Sequence, residues 1–166
     1  MARYFRRGTT KIYFVEGEGV IVNVAAPDLS TELITANLTN LTCGIAEISG
    51  FSFQNNPIDT PDMCAEFVSK IPGEDTADDS SMTFYDDDTS NPIWDGLIKG
   101  TRGYVVFFPY GTGGVGGAIA AGDDCEVWPV SVASVAREWS AGNDPARFMT
   151  TFTITAPPSQ NATVVA

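Results

Sequence analysis

Short runs of β-branched and aromatic residues, each bounded by Gly, Pro, Asn or Asp, recur along the chain, which is the pattern of a β-rich domain. The runs predict strands over Lys11–Val15, Ala46–Phe53, Glu66–Ile71, Ser81–Tyr85, Gly103–Phe108, Glu126–Ala136 and Arg147–Thr155. The last has the cleanest period of two, with Phe148, Thr150, Phe152 and Ile154 on one side and Met149, Thr151, Thr153 and Thr155 on the other. One face is apolar and the other mostly threonine. Such a face predicts that this side of the sheet meets water or a wet cavity instead of a second layer of core.

Helix is scarce. Thr31–Asn37 after Ser30 and Pro92–Ile98 after Asn91 are the two candidates; in the second, Asn91 can cap, Pro92 suits the first turn, and Ile93, Trp94, Leu97 and Ile98 form an apolar stripe. Glycines concentrate in GTGGVGGAIAAG at 111–122, between two predicted strands, which predicts a flexible hairpin loop. The fold class expected is mainly β: a sandwich with one or two short flanking helices and long loops, formed by one domain over residues 1–166.

Composition narrows the chemistry. Apolar residues make up 43% of the 166, enough for a real core. Lys and Arg number 9 against 21 Asp and Glu, a net charge of −12, which disfavours a chain built to hold phosphate backbones. There is no histidine, which removes Ser-His-Asp and Cys-His catalysis and every zinc site that needs imidazole. Cys43, Cys64 and Cys125 are odd in number and far apart, so they form no CxxC pair and no complete disulfide framework; small buried core residues are the expected role. The start of the chain is basic but lacks an apolar run of signal-peptide length, and no later run approaches the roughly 20 residues that span a bilayer. The expectation is a chain made and kept in a cytoplasm.

The motifs that suggest chemistry are incomplete. The glycine run lacks the Lys and Ser/Thr of a phosphate loop. YDDDTSNP around Asp86 alternates carboxylates as a calcium loop does, but Asn91 stands where the turn glycine belongs. Paired acids such as Glu16 with Glu18, or Asp123 with Asp124, are expected by accident among 21 acids. No catalytic residue, metal ligand or cofactor is assigned, and the expectation is a protein that is not an enzyme.

Charge is unevenly distributed. Arg3, Arg6, Arg7 and Lys11 precede any acid, whereas Asp59 to Asp95 holds eleven acids against Lys70, a balance of 1 − 11 = −10. GEDTADDS at 73–80 has the composition of an exposed loop. Arg3, Arg6 and Arg7 on one side and Glu74, Asp75, Asp78 and Asp79 on the other are the candidate interface residues, with a solvated tail and a solubilising loop as the plainer readings.

Longer phrases carry the positive signal. ISGF at 48–51, DTPDMC at 59–64, SKIPG at 69–73, DSSMTFYDD at 79–87, DPARF at 144–148 and a closing TITAPPSQNATV occur in this order. Together they make the chain, from about Thr9 to its C-terminus, similar to the major tail tube proteins of long-tailed bacteriophages, especially those of actinobacterial phages. The resemblance implies a β-sandwich whose copies form hexameric rings, stacked into a hollow tube that conducts DNA from capsid to host without specific binding. It also implies a tape-measure protein, a tail terminator and tail-tip proteins as partners, and a place in the virion tail after assembly in the host cytoplasm. A tail terminator or head decoration protein is the nearest alternative. A carboxylate-dependent hydrolase or sugar-binding β-sandwich is the alternative of a different class, and would need two acids converging in a concave site.

Overall fold

The computed structural model describes residues 6–61, 63–64 and 66–166. The strands are β1 (Lys11–Glu16), β2 (Leu38–Asn40), β3 (Ile45–Ser49), β4 (Phe53–Asn55), β5 (Ile58–Thr60), β6 (Ser69–Ile71), β7 (Asp75–Ala77), β8 (Ser80–Tyr85), β9 (Arg102–Phe108), β10 (Asp124–Glu138), β11 (Arg147–Ile154) and β12 (Ser159–Thr163), with a short helix α1 (Pro92–Gly96) before β9. The main sheet runs β2-β1-β9-β10-β11-β8-β3, with β12 also on β10, and its strand pairs are antiparallel.

β10 organises this path. Its first half lies between β9 and β12; from Val130 onward it pairs with β11, and the register slips between Val132 and Ser134. A bulge bends a strand and increases its twist, so one strand serves two layers. The first layer is β2, β1, β9, the first half of β10, and β12. The second is the rest of β10 with β11, β8 and β3.

Between the layers lies a core of Phe14, Val105 and Trp128 from the first and Met82, Phe84, Phe148 and Phe152 from the second, joined by Ile93 and Leu97 of the α1 region. A second cluster covers the reverse side of the first layer, where Val15, Val106, Phe108 and Val127 meet Ile21 and Leu33 of the preceding loops and Ala162 and Val164 near the C-terminus. The first layer is therefore buried on both faces, and β9 reads as an unbroken apolar run, YVVFF, with no alternation. The second layer is buried on one face only: along β11, Phe148, Thr150 and Phe152 are inside while Met149 and Thr153 are exposed. The outward threonine side is as the alternation predicts.

α1 forms where expected, with the Asn91 side chain accepting from the Trp94 amide at 3.3 Å and Pro92 in the first turn. Asp86 accepts a 2.9 Å bond from Arg137 Nε, and the Arg137 guanidinium lies 4.3 Å from the Trp94 ring centre. The helix stops at Gly96, short of Ile98.

Other expectations are corrected. Thr31–Asn37 is not an α-helix: the Asp28 carboxylate takes the amides of Ser30 and Thr31, the Glu32 carboxylate takes those of Val22 and Asp28, and only a 3-10 turn forms at Thr35–Asn37. Side chains that satisfy local amides this way favour turns over helix. Ala46–Phe53 is not one strand, because Gly50 and Phe51 both have positive φ (81° and 53°) and the chain leaves the sheet there. Glu66–Ile71 pairs only over Ser69–Ile71. Of the cysteines, Cys125 is buried, but Cys43 and Cys64 are exposed. The glycine-rich loop is tied down rather than free: the Asp123 carboxylate accepts from the amides of Gly113 and Ala120.

The core yields two expectations. The Thr150 hydroxyl is buried without a hydrogen-bond partner among the described residues, so Thr150→Val should raise the denaturation midpoint, by about 1 kcal/mol of stability; a lower midpoint contradicts this. Burial, helped by the negative charges of Asp124, Asp123 and Glu126, pushes the Cys125 thiol up to about 12. It therefore stays protonated and unreactive at pH 8, and thiol titration of the native protein should count Cys43 and Cys64, with Cys125 appearing only in denaturant.

Candidate assembly surfaces

Residues 50–80 leave the second layer as a hairpin arm. β4 pairs with β7 and, beyond a jog, β5 pairs with β6. The jog is bonded through a side chain and the backbone: Asn55 Nδ2 donates to Gly73 O (2.9 Å) and to the Asp75 carboxylate (2.6 Å), and the Asn56 backbone N–H donates to Glu74 O (2.8 Å). A Cβ on Gly73 would lie 2.0 Å from Asn56 O, so only glycine lets the strands pass this closely. At the root, the left-handed Gly50–Phe51 step turns the backbone outward and the Phe51 ring inward, edge-on to Phe107 and Trp128 at 5.1 and 5.7 Å. Holding a non-glycine residue in that conformation costs about 1–2 kcal/mol, which three ring contacts and the Phe51 amide bond to Ser80 Oγ (2.8 Å) offset.

The arm spans about 25 Å from Phe53 to Thr60 at the usual strand rise. None of the described arm residues from Phe53 to Ala77 belongs to either core cluster. Ile58, Met63, Phe67, Val68 and Ile71 are exposed along it, Phe67 to 80%. Its charges are acidic apart from Lys70, which pairs with Asp59 at 3.1 Å.

The candidate interface residues fall on two surfaces. Glu74 and Asp75 lie on the arm, while Asp78 and Asp79 are at its root, with Asp78 accepting a 3.4 Å bond from Ser52 and the Asp79 carbonyl packed against Gly50. Arg6 and Arg7 are exposed and line a cleft of about 710 Å³ beside β3, together with Ile12, Ile45, Phe51 and Phe107 and the acids Glu47 and Glu126. Among the described residues neither arginine forms an ion pair. Arg3 lies outside the described residues.

The outward face of the second layer is ordered in rows. Ser49, Ser81, Thr151 and Ser134 stand side by side across four strands, and the next outward row is Glu47, Thr83, Met149 and Ala136. A third row ends with Tyr85, Arg147 and Glu138, the Arg147 guanidinium 5.4 Å from the Tyr85 ring centre. Both edges of this four-stranded layer are open. Among the described residues β3 is the last strand of the path, and β10 from Ala133 to Glu138 has no strand on the side away from β11.

Several of the acids weighed as catalytic or calcium-binding are occupied structurally. Glu18 holds Arg102 at 2.8 Å, Asp123 pins the glycine loop, and Asp87 caps the amide of Thr89. Among the described residues no three metal-ligating side chains converge. The arm and the open edges were the features least legible beforehand; paired apolar positions around the Asn-Pro and Pro-Gly breaks, Ile58 opposite Ile71, are the signal for the arm.

Comparison with known proteins agrees with this picture. In the solved structures, the fold matches a chain in the 6-fold symmetrised baseplate of the anti-feeding prophage (TM-score 0.59, 9% identity, 94% of this chain and 95% of that one). It also matches a chain of the extended sheath-tube complex of an extracellular contractile injection system (0.53, 13%, 89% and 85%) and one in the tail of an empty gene transfer agent particle with C6 symmetry (0.51, 11%, 97% and 100%). No curated protein matches the sequence. The family model described as phage tail tube protein matches residues 1–166, the whole chain, and the protein belongs to that family: it is a structural, non-catalytic subunit of the phage tail tube.

Proposed function

We propose that six copies close into a ring by joining the open edge of β10 in one copy to the open edge of β3 in the next, and that such rings stack into the tube. The observation that carries this reading is the pair of open edges on one four-stranded layer. Successive strands in that layer are antiparallel, so β3 and β10 run in opposite directions. With an even number of strands, a rotated copy continues the same antiparallel sheet, and closure removes edges that would otherwise template aggregation. The sixfold symmetry named for the anti-feeding prophage baseplate and the gene transfer agent tail supplies the number.

In such a ring the row of hydroxyls on Ser49, Ser81, Thr151 and Ser134 lines the lumen. Duplex DNA carries one charge per about 1.7 Å of axis, so a lysine-rich wall would hold it through many phosphate contacts. A wall of neutral hydroxyls, two glutamates and one stacked arginine lets it slide. The arm and the Arg6–Arg7 rim then meet neighbouring copies: a two-stranded ribbon with bare apolar side chains is marginal alone and is stabilised when a second copy covers it. Arg3, Arg6 and Arg7 face acids from the Asp59–Asp95 region of that neighbour, including Glu74, Asp75, Asp78 and Asp79. The tape-measure protein, the terminator and the tip proteins engage the tube inside and at its two ends, assembly takes place in the host cytoplasm, and DNA leaves through the lumen.

Negative-stain images of the concentrated protein, alone or with its tail partners, should show six-fold rings or tubes; a protein that stays monomeric under both conditions overturns the reading. Replacing residues 53–77 by a short Gly-Ser linker should leave the monomer folded, because neither core cluster uses them, and abolish tubes. Unchanged tube yield would show that the arm makes no contact. Each exposed ion pair contributes only about 0–1 kcal/mol, but every ring repeats it, so Arg3→Glu, Arg6→Glu and Arg7→Glu together should weaken assembly most at low salt. Normal tubes at both low and high salt would remove these arginines from the contact.

A further inference from the structure

The two open edges of the second layer each have a stop at the same height. On β10 the stop is a turn at 98–101, closed by the Thr101 amide on Ile98 O (3.0 Å), with Gly100 at φ 88°, a conformation glycine adopts without strain. The Gly100 amide donates to Val132 O at 2.8 Å and the Val132 amide to Thr101 O at 2.9 Å, so the turn occupies the edge of β10 as far as Val132 and leaves it bare from Ala133. On β3 the stop is Gly50, where φ turns positive and the chain departs into the arm. Register sets the stops level: Val132 is opposite Phe152, Phe152 is opposite Ser80, and a Cβ on Gly50 would lie 2.7 Å from Ser80 Cα. The exposed groups at the two stops differ in charge. Lys99 is exposed on the turn, beside Ile98 at 61% exposure, whereas Asp78 and Asp79 are exposed at the arm root. None of these three charged groups forms an ion pair among the described residues.

Resting on the edge-to-edge ring described above, we infer that the turn at 98–101 of each copy seats against the arm root of the next, with Lys99 facing Asp78 and Asp79. The bare edge of β10 runs from Ala133 to Glu138, and β3 runs over Ile45–Ser49, so the two edges match in length. Antiparallel pairing over that whole length puts Ser134 opposite Ser49 and brings one stop against the other. A copy that slides one way drives its neighbour's β3 into the turn, and one that slides the other way loses ladder bonds. The same register carries the row of Ser49, Ser81, Thr151 and Ser134 unbroken from copy to copy. Charge agrees with it. Arg102, just after the turn, is taken by Glu18 at 2.8 Å, and Asp95, earlier in α1, makes no ion pair with Lys99. The cleft next to Gly50 balances Arg6 and Arg7 against Glu47 and Glu126, which leaves Asp78 and Asp79 as acids in excess. Opposite charges at the meeting stops favour this register over a slid one. The contact is heterologous, base on one edge and acids on the other, as ring closure requires.

The test uses the full chain with Cys43→Ser and Cys64→Ser, which leaves only the buried Cys125. In that background Lys99→Cys together with Asp79→Cys, assembled and treated with a short bis-maleimide, should give a ladder up to the hexamer, and either new cysteine alone should give none. Rings or tubes without the ladder overturn the contact and leave the ring reading standing; absence of rings under every condition, in the unsubstituted chain as well, overturns both. Lys99→Glu should leave thermal unfolding of the monomer unchanged and raise the concentration needed for assembly about fivefold or more at low salt, and less at high salt. Adding Asp78→Lys and Asp79→Lys to that variant should restore assembly. Unchanged assembly in Lys99→Glu, or no recovery in the charge-swapped chain, contradicts the proposal.

Discussion

The bend in β10 is the constraint on which the rest of the molecule depends. β10 has 15 residues against 7, 8 and 5 in its partners β9, β11 and β12, and the slip at Val132–Ser134 lets it pass from a layer buried on both sides to one buried on a single side. Two consequences follow from that passage. The first layer supplies the stable centre, where Phe14, Val105 and Trp128 meet the aromatic residues of β8 and β11. The second layer keeps two unpaired edges and a face of hydroxyls, neither of which a solitary soluble domain would expose without some means of protecting its edges.

In the proposed ring, stability and assembly fall to different parts of one sheet. The core clusters use no described residue of the arm, so the apolar side chains and acids it exposes are not needed to hold the two layers together. Phe51 joins the two: its ring belongs to the core while its strained backbone launches the arm.

The parts of this arrangement legible in the sequence are those set by local pattern. Alternation gave β11 and its threonine side, the continuous apolar run gave β9, and Asn91-Pro92 gave the start of α1. What escaped is set by distant partners. β2, β4, β7 and β12 are three to five residues long and polar enough to read as loop; they are strands because a longer strand or a matching ribbon lies alongside. The segment 31–37 has a helical look, but Asp28 and Glu32 spend their carboxylates on loop amides, a choice fixed by where β1 and the C-terminus place that loop. The charge asymmetry behind the candidate interface residues was visible in the sequence, whereas the arm that carries Glu74 and Asp75 was not, because its short strands exist only as a ribbon of distant partners.

The most direct measurement is amide hydrogen exchange on the monomer and on assembled tubes, read at the two edges. Pairing of β10 with β3 between copies should slow exchange across residues 45–49 and 133–138 on assembly, together and to a similar extent, while the centre of β9, already protected, stays unchanged. Tubes in which both edges exchange as fast as in the monomer would contradict the account.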